Sequence, residues 1–229
     1  MSRIQPSVVR CPACSGSCSV RLFESLNADR IPVQVEAILD GSFERTSCTS
    51  CGAEFQPEHH MLFASYSARL WIVMYPLTAR AEHASLEAEV SGILQRNFAE
   101  SPVVVADGLR GIRPRLVFGQ YGLREALRAA RDALDPPLLE CAKLLAYRRS
   151  LSQLFALGPC ELVYERSDSD GQLGFGVRAL ASGERLGELR IAGKILGETR
   201  DRLPELEASH RELFERPYVS AVRYLLGAP

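Results

Sequence analysis

Cys48-Thr49-Ser50-Cys51-Gly52 repeats, about 33 residues downstream, the spacing of Cys11-Pro12-Ala13-Cys14. Two residues between cysteines let both sulfurs of a tight turn face one ion. Two such turns opposite each other make a tetrahedral four-sulfur site. Zinc suits that geometry because it accepts thiolate and has no redox chemistry of its own; iron takes the same ligands and is the lesser choice. Cys11, Cys14, Cys48 and Cys51 are therefore the expected metal ligands, with one ion per chain. Four thiolates leave no coordination position for water or substrate, so the expected role is to hold structure. In small zinc peptides such sites supply an apparent binding free energy of about 10–16 kcal/mol, which becomes folding free energy. Gly52 suits a position of positive φ, from which backbone N–H groups turn back onto the thiolates.

Residues 7–10 and 19–23 read as short strands flanking the first turn, and 43–47 and 53–56 as strands flanking the second. Between them, Pro32 opens and Gly41 closes a run carrying Val33, Val35, Ile38 and Leu39, which is the punctuation of a helix. Strand–turn–strand on both sides of an ion is the layout of a zinc ribbon, here with a helix inserted between its halves. Residues 61–66 and 70–75 read as a hairpin. Leu86, Val90, Ile93 and Leu94 recur at helical spacing within 79–97. Strands are expected at 103–106 and 116–118 around Asp107-Gly108, then helices at 122–134 and 136–148, the second capped by Asp135. Residues 162–164, 173–179 and 186–191 form an antiparallel meander, and 202–226 a helix interrupted at Pro217. Gly119-Gln120-Tyr121-Gly122 and Gly174-Phe175-Gly176 read as turn glycines.

The expected fold class is α+β. A zinc-ribbon-like β element with an inserted helix is fused to an α/β body that ends in an antiparallel meander and a helix. The expected parts are 1–76 (the ribbon), 77–157 (the helical and β remainder) and 158–229 (the meander and C-terminal helix).

Cys11-Pro12-x-Cys14, an apolar helix, a second Cys-x-x-Cys-Gly and a following pair of apolar strands together resemble the CpXC-domain family of bacterial proteins. Arg115-Leu116-Val117-Phe118 with Leu123-Arg124-Glu125, and Leu134-Asp135 leading into Leu139-Glu140, extend the resemblance over residues 8–150. Thr49 stands where the family's name motif has proline, which removes turn rigidity but no ligand. The resemblance implies a metal-binding domain and gives no catalytic residues to carry over.

Bulk properties narrow the setting. The chain of 229 residues is 46% hydrophobic with a net charge of −1, so its overall charge does not draw it to nucleic acid or to an anionic membrane. The apolar stretch 70–77 is far short of the roughly 20 residues that span a bilayer. No basic-then-apolar leader precedes Cys11. Seven cysteines, four in metal-type spacing, fit a reducing compartment better than a disulfide scaffold. A soluble, cytoplasmic protein is expected.

Other residues carry weaker signals. Cys141 and Cys160 lie among leucines and read as small core residues. Cys18 reads as a strand cysteine, with a reactive thiol or substitute ligand as the alternative. His59-His60 reads as a solvated loop, with a metal-side role for His59 as the alternative. Arg124, Arg128 and Arg131 share one helix face within a basic segment that includes Arg110, Arg113 and Arg115. That face suits an acidic partner or phosphates, or is a solvated face paired with acids. Asp168 and Asp170 read as a polar hairpin turn without the ligand order of a calcium loop. No phosphate loop, nucleophile elbow or zinc-protease motif occurs. The leading functional expectation is an interaction or regulatory module meeting a protein partner, with nucleic acid a lesser prospect. The alternative is an enzyme with its site between ribbon and body, using Cys18 or His59.

Overall fold

A computed structural model describes residues 2–100 and 111–225; the strand expected at 103–106 and Arg110 lie outside the described residues. The chain divides into two compact units, residues 1–124 and 125–229.

The first unit is built on a five-stranded sheet of order β1-β2-β5-β6-β7. Strands β1 (Arg3–Arg10) and β2 (Ser17–Asn27) form an antiparallel hairpin whose tip holds Cys11 and Cys14. Helix α1 (Val33–Asp40) follows, with Pro32 at its N-cap and Gly41 beyond its end at φ 86°, its N–H bonded to the Ala37 carbonyl. Ile38 and Leu39 are the residues that α1 buries. The second cysteine turn is framed by two-residue strands, β3 (Thr46–Ser47) and β4 (Glu54–Phe55). The strand expected from residue 43 is thus shorter, because Phe43 leaves the ladder to stack on Phe23, with ring centroids 5.6 Å apart. Strands β5 (Met61–Ser65) and β6 (Leu70–Tyr75) form the expected hairpin. A 3₁₀ segment (Leu77–Glu82) leads into α2 (His83–Glu100). Strand β7 (Arg115–Phe118) then pairs parallel to β6, as β5 does to β2.

Strand β1 is an open edge, and its alternation shows how that edge is controlled. The Phe23 N–H donates to Glu44 Oε1 (2.7 Å), on the side of β2 away from β1. Ile4–Phe23 is therefore a pair without ladder bonds, and so is Pro6–Arg21 two residues on. Pro6 turns its missing N–H outward, where it costs no ladder bond and interrupts the template for another strand.

Helix α3 (Gly119–Arg131) contains the division between the units. Gly119 enters it at φ 67°, so this glycine pair belongs to a helix start rather than a free turn. In the second unit, α4 (Pro136–Arg149) starts where expected, with Asp135 accepting from the Leu138 N–H at 3.1 Å. A short α5 (Leu151–Phe155) follows. The meander consists of β8 (Cys160–Ser167), β9 (Leu173–Ala179) and β10 (Arg185–Ile191), with β9 central. Gly174 and Gly176 lie inside β9 around fully buried Phe175, not in a turn. A β-carbon on Gly176 would stand 2.5 Å from Glu165 Oε1, so the cross-strand side chain fills the space.

Leu139, Ala142, Leu145 and Ala146 of α4 pack with Leu162, Tyr164, Phe175 and Val177 of the meander as this unit's core. Lys143 is buried beside them with its ammonium 2.6 Å from both Glu125 and Glu140, and Glu140 also accepts from the Ala221 N–H at 2.8 Å. After α6 (Lys194–Asp201), which the sequence reading did not place, the C-terminal helix expected over 202–226 is instead split into α7 (Leu203–Ser209), α8 (Glu212–Glu215) and a 3₁₀ turn (Ala221–Tyr224). Pro204 in the first turn of α7 and Pro217 after α8 account for two of those breaks. No helix among the described residues is long and apolar enough to cross a membrane.

Candidate metal centre

The two cysteine turns close by the same backbone bonds. In the first, the Cys11 N–H donates to Gly16 O and the Ser15 N–H donates to Cys11 O, both at 2.8 Å. In the second, the Cys48 N–H donates to Ala53 O at 2.9 Å and the Gly52 N–H to Cys48 O at 2.8 Å. The residue four past the first cysteine has positive φ in both, 60° at Ser15 and 75° at Gly52. That left-handed step reverses the chain and folds each turn into a knuckle. The positive φ expected at Gly52 is present, and Ser15 is its counterpart, which the serine identity concealed.

The knuckles bring the sulfurs of Cys11, Cys14, Cys48 and Cys51 within 4.8 Å of one another. Cys11 Sγ lies 3.7 Å from Cys51 Sγ, and Cys14 Sγ 3.6 Å from Cys48 Sγ. A tetrahedron with metal–sulfur bonds of about 2.3 Å has edges of about 3.8 Å, so both contacts match the edge of a four-thiolate site. The four cysteines can hold a metal ion. The N–H groups of Cys51 and Ser50 point at the Cys48 sulfur and pull its thiol down to about 6. At Cys14 the Gly16 N–H favours thiolate, but the sulfurs of Cys51 and Cys48 outweigh it and the thiol is pushed up to about 12. The Cys14 thiol thus holds its proton against its neighbours, and a divalent cation would displace it and compensate the thiolate charge.

Cys18 is buried at the base of the cluster, packed with Cys11 and Cys48, and its thiol faces the Gly16 carbonyl at 3.9 Å. It is not one of the four converging sulfurs. His59 is directed elsewhere: Nε2 lies 2.7 Å from Glu44 Oε2 and Nδ1 lies 2.9 Å from the His60 carbonyl. Glu44, with its side chain 4% exposed, bridges His59 and the Phe23 N–H from a backbone at φ 53°. Sequence reasoning missed this pair, which joins positions without a common motif. His60 stacks on Tyr75, with ring centroids 4.6 Å apart. Of the expected basic face, Arg124 donates from Nε to the Ile38 carbonyl at 2.7 Å and thereby ties α3 to the end of α1. Arg113, Arg115, Arg128 and Arg131 also have interaction partners. Asp168 accepts from the Asp170 and Gln172 N–H groups, closing the hairpin turn.

The family described as CpXC protein matches residues 9–143, more than half of the chain. This chain belongs to the CpXC family. The match takes in both knuckles, the sheet strands β2, β5, β6 and β7 with the end of β1, and the first part of α4, so the CpXC region runs from the first unit into the second. No curated protein and no solved structure gives a significant match.

Proposed function

We propose that this CpXC protein binds one structural zinc ion through Cys11, Cys14, Cys48 and Cys51, and that it acts as a non-catalytic interaction or regulatory module with a protein partner. The observation that carries the metal reading is the convergence of four sulfurs from two hydrogen-bonded knuckles, with cross contacts at a tetrahedral edge length. Zinc is preferred to iron on ligand chemistry. A set of four thiolates has no open position, which supports a scaffolding role over a reactive one. Thiols needed for metal fit a reducing cytoplasm. The alternative of an enzyme using Cys18 or His59 gains no observation, since His59 is engaged by Glu44 and Cys18 is covered.

Elemental analysis of freshly purified, reduced protein tests the reading beside the Cys48→Ser and Cys18→Ser variants. About one zinc per chain, lost in Cys48→Ser and kept in Cys18→Ser, is expected. Iron instead of zinc would correct the metal, and an absence of metal would overturn the reading. Affinity capture with the zinc-loaded chain, compared with Cys48→Ser, tests the interaction role. A partner retained only by the loaded chain is the expected result.

A further inference from the structure

Two close sulfur contacts run across the knuckles, Cys11 to Cys51 at 3.7 Å and Cys14 to Cys48 at 3.6 Å. Each of these pairs joins one buried and one exposed cysteine: Cys11 and Cys48 are 1% and 2% exposed, whereas Cys14 and Cys51 are open to solvent. An oxidant thus meets Cys14 or Cys51 first, and each has a buried sulfur of the opposite knuckle in contact that can resolve the product. Cys18, the remaining thiol of the cluster, is 3% exposed and turned toward the Gly16 carbonyl.

We propose that the four-sulfur centre is a peroxide-modification site that converts to two cross-knuckle disulfides, Cys11–Cys51 and Cys14–Cys48, in place of the ion. The inference rests on the zinc reading for its starting state. Hydrogen peroxide oxidises the exposed thiolate to a sulfenic acid and releases hydroxide. The buried cross partner attacks that sulfur, forms the S–S bond and expels a second hydroxide. In each pair two thiolates lose two electrons, and one peroxide O–O bond is reduced to two hydroxides. Two peroxides complete both pairs and free the cation. Each sulfur pair has to close to about 2 Å. Both knuckles are already shut by their own backbone bonds, so the cross-links replace the ion as tether between them. Bonds within Cys11–Cys14 and Cys48–Cys51 would leave the two knuckles untied.

The test uses the full chain with its zinc content measured beforehand, treated with hydrogen peroxide. The expected product has released its zinc and is lighter than the reduced chain by four hydrogen atoms, in wild type and in Cys18→Ser alike. Tryptic digestion without reductant is expected to give peptide 11–21 linked to peptide 46–69. Among the cysteines of the two knuckles, the thiol left free for tagging is expected to be Cys14 in Cys48→Ser and Cys11 in Cys51→Ser. Separate peptides with internal bonds, a Cys18→Ser product lacking only two hydrogens, or tags on the opposite cysteines would overturn the pairing. Retention of zinc with unchanged mass would overturn the modification itself. A chain purified without zinc refutes the metal reading alone, because the same pairing can then be scored on the reduced, metal-free protein.

Discussion

Ser15 and Gly52 hold equivalent places in their knuckles, at φ of 60° and 75°, but only the glycine is free of a side chain that opposes this conformation. A non-glycine residue there costs about 1–2 kcal/mol, offset in part by the larger unfolded-state entropy of glycine. Ser15→Gly is therefore expected to stabilise the zinc-loaded chain by about 0.5–1 kcal/mol, and Ser15→Val, β-branched, to destabilise it by about 1 kcal/mol or more. Denaturant unfolding at fixed zinc checks both signs. His59 presents a second residue-scale case, since both ring nitrogens face acceptors and both must donate. Burial opposes the imidazolium, but the Glu44 carboxylate and the His60 carbonyl outweigh it, and the group titrates above its ordinary 6.5. A raised folded value gives stability that is fully present below the unfolded value and lost as pH rises through the folded one. His59→Gln is expected to cost about 1–2 kcal/mol at about pH 6, and clearly less at about pH 8.5. Urea titrations of both chains with saturating zinc measure the difference; a pH-independent gap would remove the charged pair from the account.

Elements in this protein are joined by close backbone approaches that a single methyl group can break. The carbonyl of Gly171, in the β8–β9 turn, lies 1.7 Å from where a β-carbon on Gly193 would stand at the entry to α6. The obstacle is backbone, which a rotamer change cannot relieve, so Gly193→Ala is expected to cost about 2–3 kcal/mol. The calorimetric transition of the meander unit should fall accordingly, and an unchanged midpoint would refute the contact. Neither glycine announces this contact in the sequence, because their partnership depends on how the meander returns to its own first turn. What could be read had local causes. Pro32 and Gly41 bracket α1, Asp135 caps α4, and short apolar runs between turn residues gave the three strands of the meander. The parallel pairings β2–β5 and β6–β7 were not legible, since a strand's alternation marks its buried face and not its neighbour. At the metal centre the four cysteines were visible by spacing alone. Ser15 was missed because a serine seldom takes a left-handed backbone, and Glu44–His59 because it joins two loops that share no periodicity.

On the scale of the whole molecule, two compact units share one chain, and the converging cysteines belong entirely to the first. The second has its own core and its own buried charge cluster around Lys143. A metal chelator is expected to lower the unfolding temperature of residues 1–124 and to leave a transition for 125–229 near its original position. Scanning calorimetry with hydrogen-exchange mass spectrometry assigns each transition, and a uniform loss of protection across both units would contradict the separation. The order of the cysteines along the chain also gives the centre a history. A ribosome adds about 5–20 residues per second, so Cys14 emerges roughly 2–7 s before Cys51. During that interval β1 and β2 can pair and close the first knuckle, yet only half of the four-sulfur cradle is present. A nascent chain paused within α1 carries Cys11, Cys14 and Cys18 as three thiols of one hairpin, with their tetrahedral partners not yet made. The four-sulfur cradle is thus complete only once Cys51 has emerged, and a translational pause at α1 prolongs the period in which wrong sulfur partners can meet.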